Sequence, residues 1–391
     1  SLRLLWVSNG HGEDTIGAML VKTFQQQEPS FQHTVLPLVG LGRPYRSLPE
    51  VEVLEPTREL PSGGFSGRSP GFLWQDIKAG LLSLIGEQKR VLRQQDQDAA
   101  VAVGDIYALY LTVRAPVRPI IFLPTAKSDH ISPHMKWEIS YMKKHAAKVL
   151  ARDAKTAEAL RQAGVPAQYV GNPMMDAIQP KGVDFQLPPG ITVAILPGSR
   201  REARANTPLL LEAARVLTDS LPERANFLFS RAPGIKLEDL LADLPPTWQI
   251  LPGEGPVEAK LSAGKTQVHV STYFSDIITQ CQLVFGMAGT ANEQAAGLGK
   301  PIVTCPGTGP QFTERFVRSQ VRLLGGAVVS VERDPNALAE EAKAILQDKE
   351  RYEFMAAQGR ARMGERGATG RMVEIIAQVA RAGTGPSMTN F

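Results

Sequence analysis

Two short segments of this chain combine small residues with groups that hold phosphate: Leu196-Pro-Gly-Ser-Arg200 and Gly286-Met-Ala-Gly-Thr-Ala-Asn-Glu-Gln294. Each follows an apolar, strand-like run and leads into a helical pattern. Each therefore sets backbone N–H groups at a helix start, where an anion is favoured. In the first, Gly198 lets the backbone approach a ligand and Ser199 offers a hydroxyl. Arg200 offers a planar, permanently charged fork suited to phosphate oxygens. In the second, Gly289, Thr290 and Ala291 open the helix, and the Thr290 hydroxyl adds a donor. One such turn alone reads as ordinary strand-to-helix tightness. Two at corresponding places in a repeating pattern make a cradle for a diphosphate.

A second set of groups suits proton transfer. Asn9-Gly-His-Gly-Glu-Asp14 follows the first apolar run directly. Gly10 and Gly12 let the backbone come close to a ligand. His11 between them is expected to be exposed, either acting as a base and phosphate donor or sitting incidentally on the surface. Glu13 adds a carboxylate, and Asp14 reads as the N-cap of a helix over 15–27. Asp105, at the end of Val101-Ala-Val-Gly-Asp105, is either a base or the cap of the next helix.

The elements that must position these groups alternate. Strand candidates fall at 2–7, 34–38, 51–54, 99–103, 119–123, 148–151, 168–170, 191–196, 226–229, 248–251, 267–271, 283–285, 301–304 and 327–330. Helices are expected notably over 15–27, 74–95, 134–147, 154–163, 206–219, 290–298, 314–323 and 335–347. Such alternation implies right-handed βαβ units and mostly parallel sheets. With 391 residues the chain exceeds what one core serves, and the Pro- and Gly-bearing stretch Gln179–Gly190 is the natural linker. The expected class is α/β: two Rossmann-like domains, 1–180 and 190–365, whose mostly parallel sheets face a central cleft. Ligands in such sheets bind outside the carboxyl ends of the strands, where all four motifs lie.

Composition narrows the class. With 43% hydrophobic and 21% charged residues the chain is an ordinary globular protein. No apolar window is long enough for a membrane span, and the first residues read as a strand without the features of a signal peptide, so a cytoplasmic protein is expected. The two cysteines, Cys281 and Cys305, suggest packing thiols, not a disulfide framework or a zinc site. A net charge of +4 is too small to imply nucleic acid.

At this point the residues carry a resemblance. Val149-Leu-Ala-Arg-Asp153, Tyr169-Val-Gly-Asn-Pro-Met-Met-Asp-Ala-Ile178, Leu196–Arg200, Gly289-Thr-Ala291 and Gly299-Lys-Pro301 together resemble the lipid-A-disaccharide synthase family of GT-B glycosyltransferases. They are most similar to its lipid-A-disaccharide synthase-related branch. The resemblance is specific over 149–310 and looser before. It implies a UDP-sugar donor held by the second domain, an acceptor held by the first, no cofactor and no obligatory metal. It also implies a last helix, about 368–382, that packs back on the first domain. Asp105 matches the aspartate of the family's Gly-x-Asp segment, and Gly10 to Asp14 replace its early Gly-Glu-Ala-Ser-Gly-Asp loop. Gln311 joins that loop among expected acceptor contacts. The acidic residue that holds the ribose in GT-B enzymes falls at Gln294 here, five positions before Gly299, with Glu293 beside it. Adjacent helical positions point about 100° apart.

In an inverting transfer a base, Asp105 or His11, takes the proton of the acceptor hydroxyl, while Arg200 and helix N-termini stabilise the leaving diphosphate. The acceptor is expected to be lipid-linked. Phe65, Phe72 and Trp74 are costly to expose unless they meet lipid or protein. Trp137 and Tyr141 lie among Lys136, Lys143, Lys144 and Lys148, the composition of an interfacial helix or of buried aromatics under a basic face. The expected partners are a UDP-sugar, a lipid-linked acceptor and a membrane surface bound peripherally, with a homodimer left open and nucleic acid excluded. Two alternatives share the architecture: a UDP-sugar 2-epimerase working on a soluble substrate, and a binding protein that lost activity.

Overall fold

The structure is a computed structural model and describes residues 1–57, 80–198 and 201–383. The chain divides into two compact units, one of residues 1–177 with 366–391 and one of residues 178–365.

In the first unit seven strands, β1 (Arg3–Ser8), β2 (Gln32–Pro37), β3 (Val51–Val53), β4 (Ala99–Gly104), β5 (Ile120–Pro124), β6 (Lys148–Leu150) and β7 (Ala167–Gln168), form one sheet in the order β3-β2-β1-β4-β5-β6-β7. Every pairing is parallel. Between the strands run α1 (His11–Gln27), α2 (Arg43–Arg46), α3 (Leu81–Arg93), α4 (Ile106–Val113), α5 (Lys136–His145) and α6 (Ala154–Gln162). β4, Ala-Ala-Val-Ala-Val-Gly, is buried along its whole length, as a central parallel strand covered on both faces must be. Side chains alternate across the sheet: Leu5, Val7, Ala100, Ala102 and Phe122 pack into one layer, Leu4, Trp6, Val101, Val103 and Ile121 into the other. The last helix, Ala368–Gly383, adds Met372, Val373, Ile376, Ala377 and Ala380 to that second layer at helical spacing. Asp176 fixes its start by accepting the N–H groups of Gly367 (2.6 Å) and Thr369 (2.8 Å).

The second unit holds β8 (Ile191–Leu196), α7 (Arg201–Ser220), β9 (Ala225–Ser230), α8 (Leu237–Leu240), β10 (Gln249–Pro252), β11 (Ala259–Ala263), β12 (Thr266–Ser271), α9 (Phe274–Gln280), β13 (Leu283–Gly286), α10 (Thr290–Gly297), β14 (Ile302–Thr304), α11 (Glu314–Leu324), β15 (Val328–Ser330), α12 (Pro335–Leu346) and α13 (Lys349–Met363). Its eight strands are ordered β10-β11-β12-β9-β8-β13-β14-β15. The β10–β11 and β11–β12 pairs are antiparallel and the rest parallel. The stretch before β8 is pinned by Asp276, whose carboxylate accepts the N–H groups of Lys181 (3.1 Å), Gly182 (2.8 Å) and Val183 (3.1 Å).

The architecture is the expected one, two mostly parallel α/β sheets, with differences in detail. β11 is absent from the sequence reading, although Ala259, Leu261 and Ala263 alternate inward and Gly264 turns the chain into β12. α1 begins at His11, four residues early, and α7 at Arg201, five early. α4 is expected only as the helix that Asp105 would cap, without bounds: Ile-Tyr-Ala-Leu-Tyr-Leu-Thr-Val has no polar stripe to mark a helical period.

Candidate active site

Because β1, β4 and β5 run parallel and side by side, their carboxyl ends gather at one edge of the first sheet. Asn9 donates its N–H to Val103 O (3.2 Å) and Thr125 to Gly104 O (2.9 Å), which lines up Asn9, Asp105 and Thr125. Asp105 caps α4: its Oδ1 accepts Ala108 N–H at 3.1 Å and Asn9 Nδ2 at 2.8 Å. The capping alternative is thus realised, and neither bond uses Oδ2. Gly104 just before it has φ +145°, and a Cβ there would lie 3.1 Å from Asn9 Cβ, so a side chain would push this corner apart.

Glu13, half-buried in the first turn of α1, meets the same edge. Its Oε1 accepts the Thr125 hydroxyl at 3.1 Å. Burial raises its carboxyl above the ordinary range and the charge of Asp105 adds to that, while its hydrogen bonds, that from Thr125 among them, and Arg152 pull it back. His11 and Gly12 are exposed at the helix start, and Gly10 occupies the capping position without a side-chain bond.

Asp14 departs from expectation. It is not an N-cap: with 2% of its surface exposed it lies on the inner side of α1, where Ser8 donates its hydroxyl to Oδ1 at 2.5 Å. Ser8 Oγ also meets Tyr45 Oη at 2.8 Å. Tyr45 reaches this spot because Gly17 presents no side chain, and a Cβ there would strike the phenol oxygen. The buried hydroxyls need a polar partner, and Asp14 supplies it. Burial raises its carboxyl to about 7, against the opposing effect of the Ser8 bond.

In the second unit β8 and β13 are parallel neighbours, so their turns lie together, with Met287 N–H donating to Leu196 O at 2.8 Å. Gly198 has φ +96°, and a Cβ on it would come within 2.8 Å of Met287 O, so only glycine fits between the turns. The turn carbonyls are tied inward. Asn292 Nδ2 donates to Gly286 O (3.1 Å), and Gln320 Nε2 to Ala288 O (3.1 Å) and Gly289 O (3.2 Å). Asn206 Nδ2 donates to Pro197 O (3.1 Å) and is itself held by Arg333 (3.2 Å). Since a trans peptide sets N–H opposite C=O, the N–H groups of Gly198, Gly289 and Thr290 face the other way, as an anion site requires. Thr290 is exposed, and Ala291 follows it in the first turn of α10. Gln294 is 7% exposed and Glu293 half-buried, so Glu293 has the more accessible side chain of the two. Gln311 is exposed on a loop of this second unit, its N–H bonded to Glu202 at 2.8 Å. Ser199 and Arg200 lie outside the described residues.

On α5 Trp137 is 58% exposed, its Nε1 against Met135 Sδ, with Lys143 and Lys144 exposed in the last turn. Tyr141 turns inward, its ring 6.4 Å from that of Tyr110. The α5 surface thus joins an exposed aromatic to basic groups, whereas Phe65, Phe72 and Trp74 lie outside the described residues. Three polar residues absent from the sequence reading as site candidates meet beside Asp105: Lys127, His134 and Glu138. Of the three only Lys127 has a local signal, the polar run Thr125-Ala-Lys-Ser-Asp-His130 following a buried strand end. Among the described residues no helix is long and apolar enough to cross a membrane.

No family model matches the chain. It is 25% identical to the lipid-A-disaccharide synthase of Trichlorobacter lovleyi, over 96% of each chain. It is also 25% identical to that of Myxococcus xanthus, over 97% of this chain and 98% of the relative. Among solved structures, CalG4, the calicheamicin glycosyltransferase, superposes with a TM-score of 0.62 at 12% identity, covering 100% of both chains. MurG of Acinetobacter baumannii gives 0.58 at 14%, covering 97% of this chain and 100% of its own. UDP-GlcNAc 2-epimerase of Neisseria meningitidis gives 0.54 at 14%, covering 96% and 100%. The fold is GT-B. The likeness to lipid-A-disaccharide synthases runs the length of the chain, and with that fold it makes the chain an enzyme of the glycosyltransferase class.

Proposed function

We propose that this glycosyltransferase moves a sugar from a UDP-sugar to a lipid-linked acceptor, with inversion, at a membrane surface. The reading is carried by the paired turns after β8 and β13, whose carbonyls are tied inward and whose N–H groups are left for a diphosphate. In the proposed reaction the acceptor oxygen attacks the anomeric carbon and Asp105 takes its proton. The bond to UDP breaks on the opposite face. Charge on the departing diphosphate is met by the N–H groups of Gly198, Gly289 and Thr290 and by Arg200. Glu13 is a second carboxyl at the same edge, and His11 the rival base. Glu293 is the ribose contact. Trp137, Lys143 and Lys144 rest on an anionic bilayer, as the interfacial composition of α5 favours. Transfer is preferred to epimerisation because the whole-length sequence relatives are named as synthases, while the epimerase likeness, at 14% identity, is one of fold.

The test is a thermal-shift series with UDP, GDP, ADP and TDP, followed by product analysis with UDP-sugars and a lipid acceptor. UDP at about 100 times its dissociation constant adds about 2.7 kcal/mol to stability. Sugar consumption is expected only when the lipid acceptor is present. An epimerised UDP-sugar formed without acceptor, or no preference for UDP, overturns the proposal.

A further inference from the structure

Two buried side-chain amides hold the turn between β13 and α10, and they divide it between them. Gln320, on α11, is 3% exposed, and its Nε2 donates to Ala288 O at 3.1 Å and to Gly289 O at 3.2 Å. Asn292, inside α10 and fully buried, donates from Nδ2 to Gly286 O at 3.1 Å and to Gln320 Oε1 at 3.0 Å. A carbonyl only accepts, so Gln320 must turn its NH₂ toward the turn. Its oxygen then faces Asn292, which must answer with its own NH₂. Neither amide can be reversed without setting oxygen against oxygen. Gly286 leaves the room for this pair, since a Cβ there would strike the Asn292 side chain. Phe316 seats α11 against the turn, its ring 3.4 Å from where a Cβ on Gly289 would stand.

The division has a consequence for the N–H groups. Asn292 grips the peptide whose N–H, that of Met287, is already spent on Leu196 O at 2.8 Å. Gln320 grips the two peptides whose N–H groups belong to Gly289 and Thr290. Those donors stand at the start of α10, where a helix leaves its N–H groups without an internal partner. A peptide is planar and trans, so a side chain that holds the C=O sets the direction of the N–H on the far side. One amide therefore aims both donors that this turn offers.

Resting on the reading of the paired turns as a diphosphate site, and not on where the sugar goes, we infer that Gln320 is a positioning residue of the donor site. Buried behind the turn, it acts on the diphosphate through the N–H groups of Gly289 and Thr290. Its loss is felt as donor affinity.

The test is UDP calorimetry on the full chain. Gln320→Met keeps the length of the side chain but can neither hold the two carbonyls nor accept from Asn292, and it is expected to weaken UDP binding about 10- to 100-fold. Gln320→Glu is a conditional replacement. Protonated, its carboxyl donates to a turn carbonyl and accepts from Asn292, as the amide does; ionised, it loses the donor and sets a negative charge against two carbonyl oxygens. Its UDP affinity, taken relative to that of the unaltered protein so that titration of UDP cancels, should therefore fall as pH rises between about pH 5 and about pH 9. Asn226→Leu controls for stability alone: Asn226 is 4% exposed near the amino end of β9, away from the turns, and donates to Pro188 O at 2.7 Å. That variant should lower the unfolding temperature and leave UDP affinity unchanged.

Three results overturn the inference: folded Gln320→Met that binds UDP as tightly as the unaltered protein, Gln320→Glu that gains nothing over Gln320→Met at low pH, or an equal loss of UDP affinity in folded Asn226→Leu. An unaltered protein that binds no UDP overturns instead the reading of the turns.

Discussion

Replacing Asp14 by Asn tests whether the first turn of α1 is held by a buried proton. Asp14 is 2% exposed, and burial lifts its carboxyl from 3.8 to about 7. In the unfolded chain the group titrates near 3.8, so between that pH and 7 the folded protein keeps a proton that the unfolded chain has released. Stability from this source is complete below pH 3.8 and is lost as pH rises through 7, with a slope approaching 1.36 kcal/mol per unit. Over the whole interval that is about 4 kcal/mol, an order-of-magnitude figure. Asn keeps an oxygen for the Ser8 hydroxyl but cannot ionise, so its stability should lack this slope. The assay compares amide exchange of Leu5 and Val7 in β1, in both proteins, from pH 4 to 8. Differencing the two forms cancels intrinsic exchange rates and the titrations they share. The stability difference should shift toward the Asn form by several kcal/mol as pH rises. A difference that stays flat within about 1 kcal/mol refutes the buried-proton argument.

Three further outcomes are expected. Asp105→Asn should preserve the cap of α4, since Asn accepts from Ala108 equally well, yet lower turnover about 10²- to 10⁴-fold with UDP affinity unchanged; full activity there with an inactive His11→Ala moves the base to His11. Gly198→Ala, which forces a Cβ toward Met287 O from a left-handed backbone, should cost about 1–3 kcal/mol of stability or weaken UDP binding by a like amount; calorimetry and unfolding that match the unaltered protein contradict the close approach of the turns. Trp137→Ser with Lys143→Glu and Lys144→Glu should reduce flotation with anionic vesicles at low salt while leaving UDP binding intact; undiminished flotation removes α5 from the membrane contact.

The alternation of strands and helices, and with it the two mostly parallel sheets, is legible in the local pattern, because buried parallel strands are short apolar runs separated by amphipathic helices. The sequence also located the two turns at Gly198 and Gly289, since glycine beside a strand end is a local signal. What it did not decide depends on partners far along the chain. Asp14 reads as a cap from its neighbours alone, yet is a buried acceptor for Ser8, whose hydroxyl also meets Tyr45 in the space that Gly17 leaves. Asp176, within a motif that the resemblance singles out, serves to fix a helix start 191 residues away. Lys127, His134 and Glu138 carry no motif at all. They converge beside Asp105 because β4 and β5 are sheet neighbours, which brings the loop after one against the turn after the other. Local pattern sets which elements form, through backbone and burial preferences felt over a few residues. Which polar groups share a wall is set by strand order, and strand order is a property of the packed sheet.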